Sequence, residues 1–246
     1  MDKLYIVIPC YNEAENIIDV IDDWYKVLKG KNDASRLVII DDGSKDNTKE
    51  IVEKIKGKYP KLVFLTKKNE GHGATILYGY NYAIKNGADY IFQTDSDGQT
   101  LPSEFTEFWN ERKKYDMLIG YRKGRKDGIS RIFVTRTLRL IILAIFHVFV
   151  KDANTPYRLM NAKVLKEYIG LVPSKYHLSN VIISVIYRKF NLKVKYFDIT
   201  FRERQGGKNS INMKKINKIG INALKEFRDI NKSINKKRLE KRNEKK

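Results

Sequence analysis

The chain has 246 residues, 42% of them hydrophobic and 32% charged; this is enough apolar material for a sizeable core and argues against global disorder. At roughly 100–200 residues per domain, the length fits one α/β unit with an appendage. Its 49 Lys and Arg outnumber 29 Asp and Glu, for a net charge of +20, which points to polyanionic company in the form of nucleic acid, anionic lipid or phosphorylated substrate.

Met1-Asp2-Lys3 runs directly into an apolar strand-like segment with no small-residue cleavage region, so export is not expected. The single cysteine, Cys10, cannot form an intramolecular disulfide, and the lack of CxxC or Cys/His clusters argues against zinc. A reducing, cytosolic setting follows. Strands are predicted at residues 4–8, 37–40, 62–65 and 90–93, alternating with amphipathic helical runs. Asn12 and Asp46 are the expected N-caps of the first two helices. A third helix is predicted over residues 73–86, and a fourth over 102–114 with Pro102 in its first turn. Such alternation predicts an α/β protein with a parallel sheet.

From about residue 117 the pattern changes to a strand at 117–121, a polar loop and a long apolar helix at 129–150. The most apolar part of that helix, residues 137–150, is broken by Arg139 and His147 and falls short of the ~20 apolar residues of a membrane span. It reads as a buried or interfacial helix, with His147 in core or interface. A helix at 179–190, a strand at 192–197 and a Gly-containing basic loop at 202–210 follow. The division predicted is a catalytic domain over 1–210, a basic amphipathic helix over 211–232, and a basic disordered tail over 233–246.

In open α/β sheets, ligands bind outside the carboxyl ends of the strands. Three predicted strands end in oxygen-rich clusters: Pro9-Cys10-Tyr11-Asn12-Glu13, Asp41-Asp42-Gly43-Ser44 and Asp95-Ser96-Asp97-Gly98-Gln99. The last offers two carboxylates and an amide oxygen, hard donors suited to Mg²⁺ or Mn²⁺ shared with substrate phosphates. Thr100 and Thr106 stand where a calcium loop starting at Asp95 needs Gly and Glu, which excludes an EF-hand. Neither a GxxxxGK[ST] nor a GxGxxG fingerprint occurs, which disfavours a P-loop ATPase and a dinucleotide dehydrogenase.

Taken together, IPCYNEAENI, VIIDDGSKDNT, NEGHGATILYGYNYAIKNGADYIFQTDSDGQTLP, GYR, DANTPYRLM and FRERQGGKNS resemble glycosyltransferase family 2, and within it the dolichol-phosphate mannose synthase-like branch. The resemblance covers roughly residues 3–210 in order. It implies the GT-A nucleotide-diphospho-sugar transferase fold, an α/β fold with a mostly parallel sheet flanked by helices. It also implies a donor pocket built from Pro9, Tyr11 and Glu13, with Asp42 bonding the base of a UDP- or GDP-sugar. Asp95 would face the nucleotide sugar or the metal, Ser96 the nucleotide sugar, and Asp97 and Gln99 would ligate Mg²⁺ or Mn²⁺. Arg131, Arg204 and Lys208 would meet the diphosphate; RQGGKNS carries one residue more than the branch's RxxGxS, so either Arg202 or Arg204 is the key arginine. Asp152 matches an acid on the acceptor side, a general base for a sugar hydroxyl or an orienting group for a phosphate. Pro156-Tyr157 replaces the family's Gly-Phe.

The function expected is a metal-dependent inverting transfer to a polyprenyl phosphate or a lipid-linked or cell-envelope glycan. The place expected is the inner face of the cell membrane, reached peripherally. Residues 211–246 hold 13 Lys and Arg against 4 Asp and Glu, a cationic surplus suited to an anionic membrane surface. Two alternatives compete: a nucleic-acid binder, motivated by +20 together with 15 Tyr and 11 Phe, and an inactive membrane scaffold of the same family. The first has no recognisable reading motif and leaves the strand-end acids unexplained, so no nucleic-acid partner is expected.

Overall fold

The computed structural model describes residues 1–122, 129–202 and 213–244, with side chains described at 1–122, 135–202 and 224–244. Seven strands form one sheet: β1 (Leu4–Cys10), β2 (Arg36–Asp41), β3 (Leu62–Thr66), β4 (Tyr90–Gln93), β5 (Met117–Arg122), β6 (Arg158–Asn161) and β7 (Val194–Ile199). Their order is β3-β2-β1-β4-β6-β5-β7, with β6 alone antiparallel to its neighbours. Six strands therefore deliver their carboxyl ends to one edge, and β6 starts there.

The four predicted strands of the first half are present. β1, β2 and β4 bury both faces, as parallel strands covered by helices must, while β3 at the sheet edge is only half-buried. Alternate residues of β1 divide between two cores: Leu4, Ile6 and Ile8 pack with α1 (Ile17–Lys26), α2 (Thr48–Ile55) and α4 (Phe105–Glu111). Tyr5 and Val7 face α3 (His72–Lys85), α5 (Ile129–Phe146), α6 (Ala162–Tyr168), α7 (Ser179–Lys189) and α8 (Met213–Asn243). The result is a three-layer α/β/α unit.

Several expectations need correction. Asn12 does not cap α1, which begins after Asn16; Asn12 takes φ 55° and links two loops instead. Asn47 occupies the cap position of α2, although the Asp46 carboxylate accepts the Thr48 amide N–H at 3.0 Å. The apolar helix stops at Phe146, because His147 turns left-handed at φ 54° and its side chain is exposed, outside the core. Strand β6 and helix α6 were not foreseen at all.

The segment 233–243, expected to be disordered, is the last third of α8. Two forces hold it. Phe227, Ile230 and Ile234 are buried against the core, and Lys241 lies 4.7 Å from the Tyr168 ring centroid while pairing with Glu167. Lys, Arg, Glu and Leu are also strong helix formers, so a charged run need not unfold once an apolar stripe is anchored. Among the described residues no helix is long and apolar enough to cross a membrane.

Chemical denaturation checks this packing. Ile234→Ala removes a fully buried side chain and is expected to cost about 2–5 kcal/mol. Lys232→Ala, on the exposed face, should stay within about 0.5 kcal/mol of the parent.

Candidate functional site

The first two strand ends are laced together. The Asn12 amide donates to Ser44 Oγ at 2.9 Å, and Asn12 Oδ1 accepts the Lys45 amide at 2.8 Å. The Glu13 amide donates to Thr48 Oγ1 at 2.9 Å, and the Ala14 amide to Asp46 Oδ2 at 3.2 Å. Pro9 lies in β1 opposite Ile40, Tyr11 is exposed just past the strand, and Glu13 is buried, accepting from Asn16 Nδ2 at 2.8 Å. Burial, and then the nearby Asp41, Glu13, Asp46 and Asp42 carboxylates, push the Cys10 thiol well above its usual range, so it is no nucleophile.

Asp42 is buried with a defined set of donors. Its Oδ1 accepts Lys67 Nζ at 2.8 Å and the Glu70 amide at 3.0 Å, and its Oδ2 accepts the Gly71 amide at 2.8 Å. A carboxylate has about four acceptor sites, so three hold the 67–71 segment and one is left for a ligand. Gly71 takes φ +89°, and a Cβ on Gly73 would lie 2.1 Å from the Tyr176 carbonyl oxygen, so both positions demand glycine. Lys175 and Lys67 hold the half-buried Glu70 carboxyl below the usual range.

At the end of β4, the buried Thr94 and Thr100 hydroxyls meet at 2.7 Å and close residues 95–99 into a loop. The Gln99 amide N–H bonds Asp97 Oδ1 at 3.2 Å. Gln99 Nε2 donates to the Arg202 carbonyl at 2.9 Å, which turns its amide oxygen to other work. Asp95 Oδ1 is buried without a hydrogen-bond partner among the described residues, with His72 Nε2 3.5 Å away. Ser96 is buried beside it in sequence. An orphaned carboxylate oxygen, a second carboxylate and an amide oxygen on one loop fit a hard divalent cation. Among the described residues no group of three or more His, Cys, Asp or Glu is placed to hold a metal ion by itself.

The loop 152–157 reaches the same edge because β6 runs backwards, Gln93 facing Arg158. Asp152 is buried in a forked ion pair: Arg122 Nε donates to Oδ2 at 3.1 Å, and Nη2 to Oδ1 and Oδ2, both at 3.0 Å. Arg158, fully buried, donates to the carbonyls of Thr155 (2.6 and 3.0 Å), Asn180 (3.1 Å) and Ala153 (3.3 Å), and to Ser184 Oγ at 3.4 Å. Burial pulls its pKa below the usual arginine range, while Tyr80, Asp152, Tyr196 and Tyr187 act to raise it.

The structure thus brings Pro9, Tyr11, Glu13, Asp42, Asp95, Ser96, Asp97, Gln99 and Asp152 to one edge of the sheet. Arg202 braces the 95–99 loop: its Nη2 donates to the Gly98 carbonyl at 3.2 Å, its Nε is buried without a partner among the described residues, and it lines a small crevice with Asp19 and Asp23. Arg204 and Lys208 lie outside the described residues, and Arg131 falls in α5 with its side chain outside them. Sequence reading missed Arg122, Arg158 and Lys67 as site-building residues. GYR and DANTPYR contain two of them, and the signal available was an arginine at a strand end and another opening an apolar run.

Equilibrium unfolding tests the forked pair. Asp152→Asn or Arg122→Gln alone is expected to cost about 3–5 kcal/mol by stranding a buried charge. The double variant should cost less than the sum of the two.

Residues 5–169 match the sequence profile of glycosyl transferase family 2. A protein of Methanocaldococcus jannaschii described as uncharacterized is 33% identical over 172 residues, 65% of this chain and 72% of that protein. A dolichyl-phosphate beta-glucosyltransferase of Trichomonas vaginalis is 25% identical over 224 residues, 85% of this chain and 68% of its own. An undecaprenyl-phosphate 4-deoxy-4-formamido-L-arabinose transferase of Yersinia pestis is 29% identical over 143 residues, 57% of this chain but only 43% of its own. These relatives are consistent with the dolichol-phosphate mannose synthase-like branch. Glucosyl-3-phosphoglycerate synthase of Mycobacterium tuberculosis shares the fold. Its complex with UDP superposes with a TM-score of 0.67 at 16% identity, over 93% of this chain and 80% of that one. Its complex with Mn²⁺, UDP and glucosyl-3-phosphoglycerate gives 0.64 at 16% identity, over 84% and 73%. The sheet is accordingly that of the GT-A fold, and a profile match over more than half of the chain makes this protein a glycosyltransferase of family 2.

Proposed function

We propose that the protein is an inverting enzyme that moves a sugar from a UDP- or GDP-sugar to a polyprenyl phosphate or lipid-linked glycan. It would work with Mg²⁺ or Mn²⁺ at the cytosolic face of a membrane. The observation that carries the reading is the braced 95–99 loop, whose Asp95 holds a buried carboxylate oxygen with no hydrogen-bond partner at the ligand edge of the sheet. Two relatives bear names that specify polyprenyl-phosphate acceptors, which supports that acceptor class. Family membership leaves the nucleic-acid alternative without motive.

Each residue has a task in this reading. Pro9, Tyr11 and Glu13 line the nucleotide, and Asp42 offers its remaining lone pair to a base N–H. Asp95, Asp97 and Gln99 hold the divalent ion, which when bound neutralises charge on the leaving diphosphate. Arg131, Arg204 and Lys208 supply further cations to the same charge. Asp152, tied by Arg122, keeps its carboxylate fixed at the acceptor side. There it takes the proton from a hydroxyl acceptor, or orients an acceptor that is already anionic.

Sugar transfer by the purified protein with Mn²⁺ or Mg²⁺ tests this. Asp97→Ala should lower turnover by about a hundredfold or more, the scale of lost charge stabilisation at a leaving group; full activity would remove the metal assignment. Because the two carboxylates do not complete a cage, Mn²⁺ and a nucleoside diphosphate together should raise Tm by more than the sum of their separate effects.

A further inference from the structure

Beneath the Asp152 loop lies a cavity of about 140 Å³. Arg122, Asp152 and Asn154 line one side, and Leu138, Arg139 and Ile142 of α5 the other. Arg122 spends Nε and Nη2 on Asp152. Among the described residues, Arg139 Nε is buried without a partner and none of its nitrogens meets a carboxylate. Two guanidiniums and one carboxylate leave this cavity with an excess positive charge. A half-buried guanidinium with no counter-charge is costly unless an anion arrives.

The shape narrows the choice of anion. At about 30 Å³ per water the cavity has room for a five-atom oxyanion. Its apolar wall of Leu138, Ile142 and Ala153 suits a phosphate carried on a hydrocarbon better than a free carboxylate. The forked Arg122 holds the anion's neighbour, Asp152, at fixed distance, so a phosphate seated on Arg139 would lie beside the acid that serves the acceptor.

We propose that this cavity seats the phosphate group of the acceptor and that Arg139 is its binding residue. The inference rests on the reading of Asp152 as acceptor-side, and it adds a specificity-determining residue that selects phosphorylated over neutral acceptors.

The full chain and its Arg139→Gln and Arg139→Lys variants are titrated with farnesyl phosphate, glycerol phosphate and farnesol, followed by thermal shift. UDP and GDP with Mn²⁺ serve as the donor-side control. Farnesyl phosphate should stabilise the parent and farnesol should not. Arg139→Gln should weaken phosphate binding about tenfold to a hundredfold, the value of one charge-assisted bond, and Arg139→Lys should restore part of it. Tighter farnesyl than glycerol phosphate assigns a lipid source, and equal affinity a soluble one. Unaltered farnesyl phosphate affinity in Arg139→Gln, or farnesol binding as tightly as its phosphate, overturns the proposal. Arg139-dependent phosphate binding without any nucleotide effect upholds it and refutes the donor reading instead.

Discussion

The site depends on a guanidinium that never touches solvent. Arg158 opens β6, and its nitrogens satisfy the carbonyls of Ala153, Thr155 and Asn180. The Ala153 and Thr155 carbonyls belong to a loop with no ladder of its own, and unpaired buried carbonyls would cost about 1–3 kcal/mol each. The charge is tolerated because several oxygen dipoles converge on it, although burial still depresses its pKa. Through Asn180 the same side chain clamps α7 to the loop, and next to it Tyr80 Oη meets Gln93 Oε1 at 2.5 Å, tying α3 to β4. Removing the arginine would free the segment that presents Asp152 before it disturbed any strand of the first half.

The two sides of the site are held by different physics. The side formed by the ends of β1 and β2 is a mesh of short backbone-to-side-chain bonds between neighbouring loops, with Asp42 as its anchor. The side formed by the 152–157 loop is held by charge, in the Arg122–Asp152 fork and the buried Arg158. The net +20 therefore has several destinations. Lys67, Arg122 and Arg158 are structural cations, Arg139 lines a cavity with no counter-charge among the described residues, and α8 carries Lys225, Arg228, Lys232 and Lys236 on exposed positions.

The half built on β1 and β2 was legible in the sequence because its signals are local. Runs such as LYIVIPC and RLVIID are too apolar and β-branched for anything but buried parallel strands, and each is followed at once by its polar turn. The half built on β6 and the 152–157 loop was not, since its contacts join residues about thirty positions apart and its strand is four residues long, beginning with an arginine. Asn161, which caps α6 by accepting the Val164 amide at 3.1 Å, was the one local clue to that region. The charged C-terminal run misled for the opposite reason: composition argued for disorder, while Phe227, Ile230 and Ile234 recur at helical spacing.

That last helix also bears on how the protein can be handled. Asn231 Nδ2 donates to the Ile145 carbonyl at 2.7 Å, satisfying the end of α5, and Phe227 packs 5.4 Å from the Phe146 ring. Since α5 carries Leu138, Arg139 and Ile142, α8 is a buttress for the cavity wall and not a detachable address label. A fusion partner attached beyond residue 244 leaves the buttress standing, whereas proteolytic trimming ahead of Phe227 takes it away and lets the wall drift.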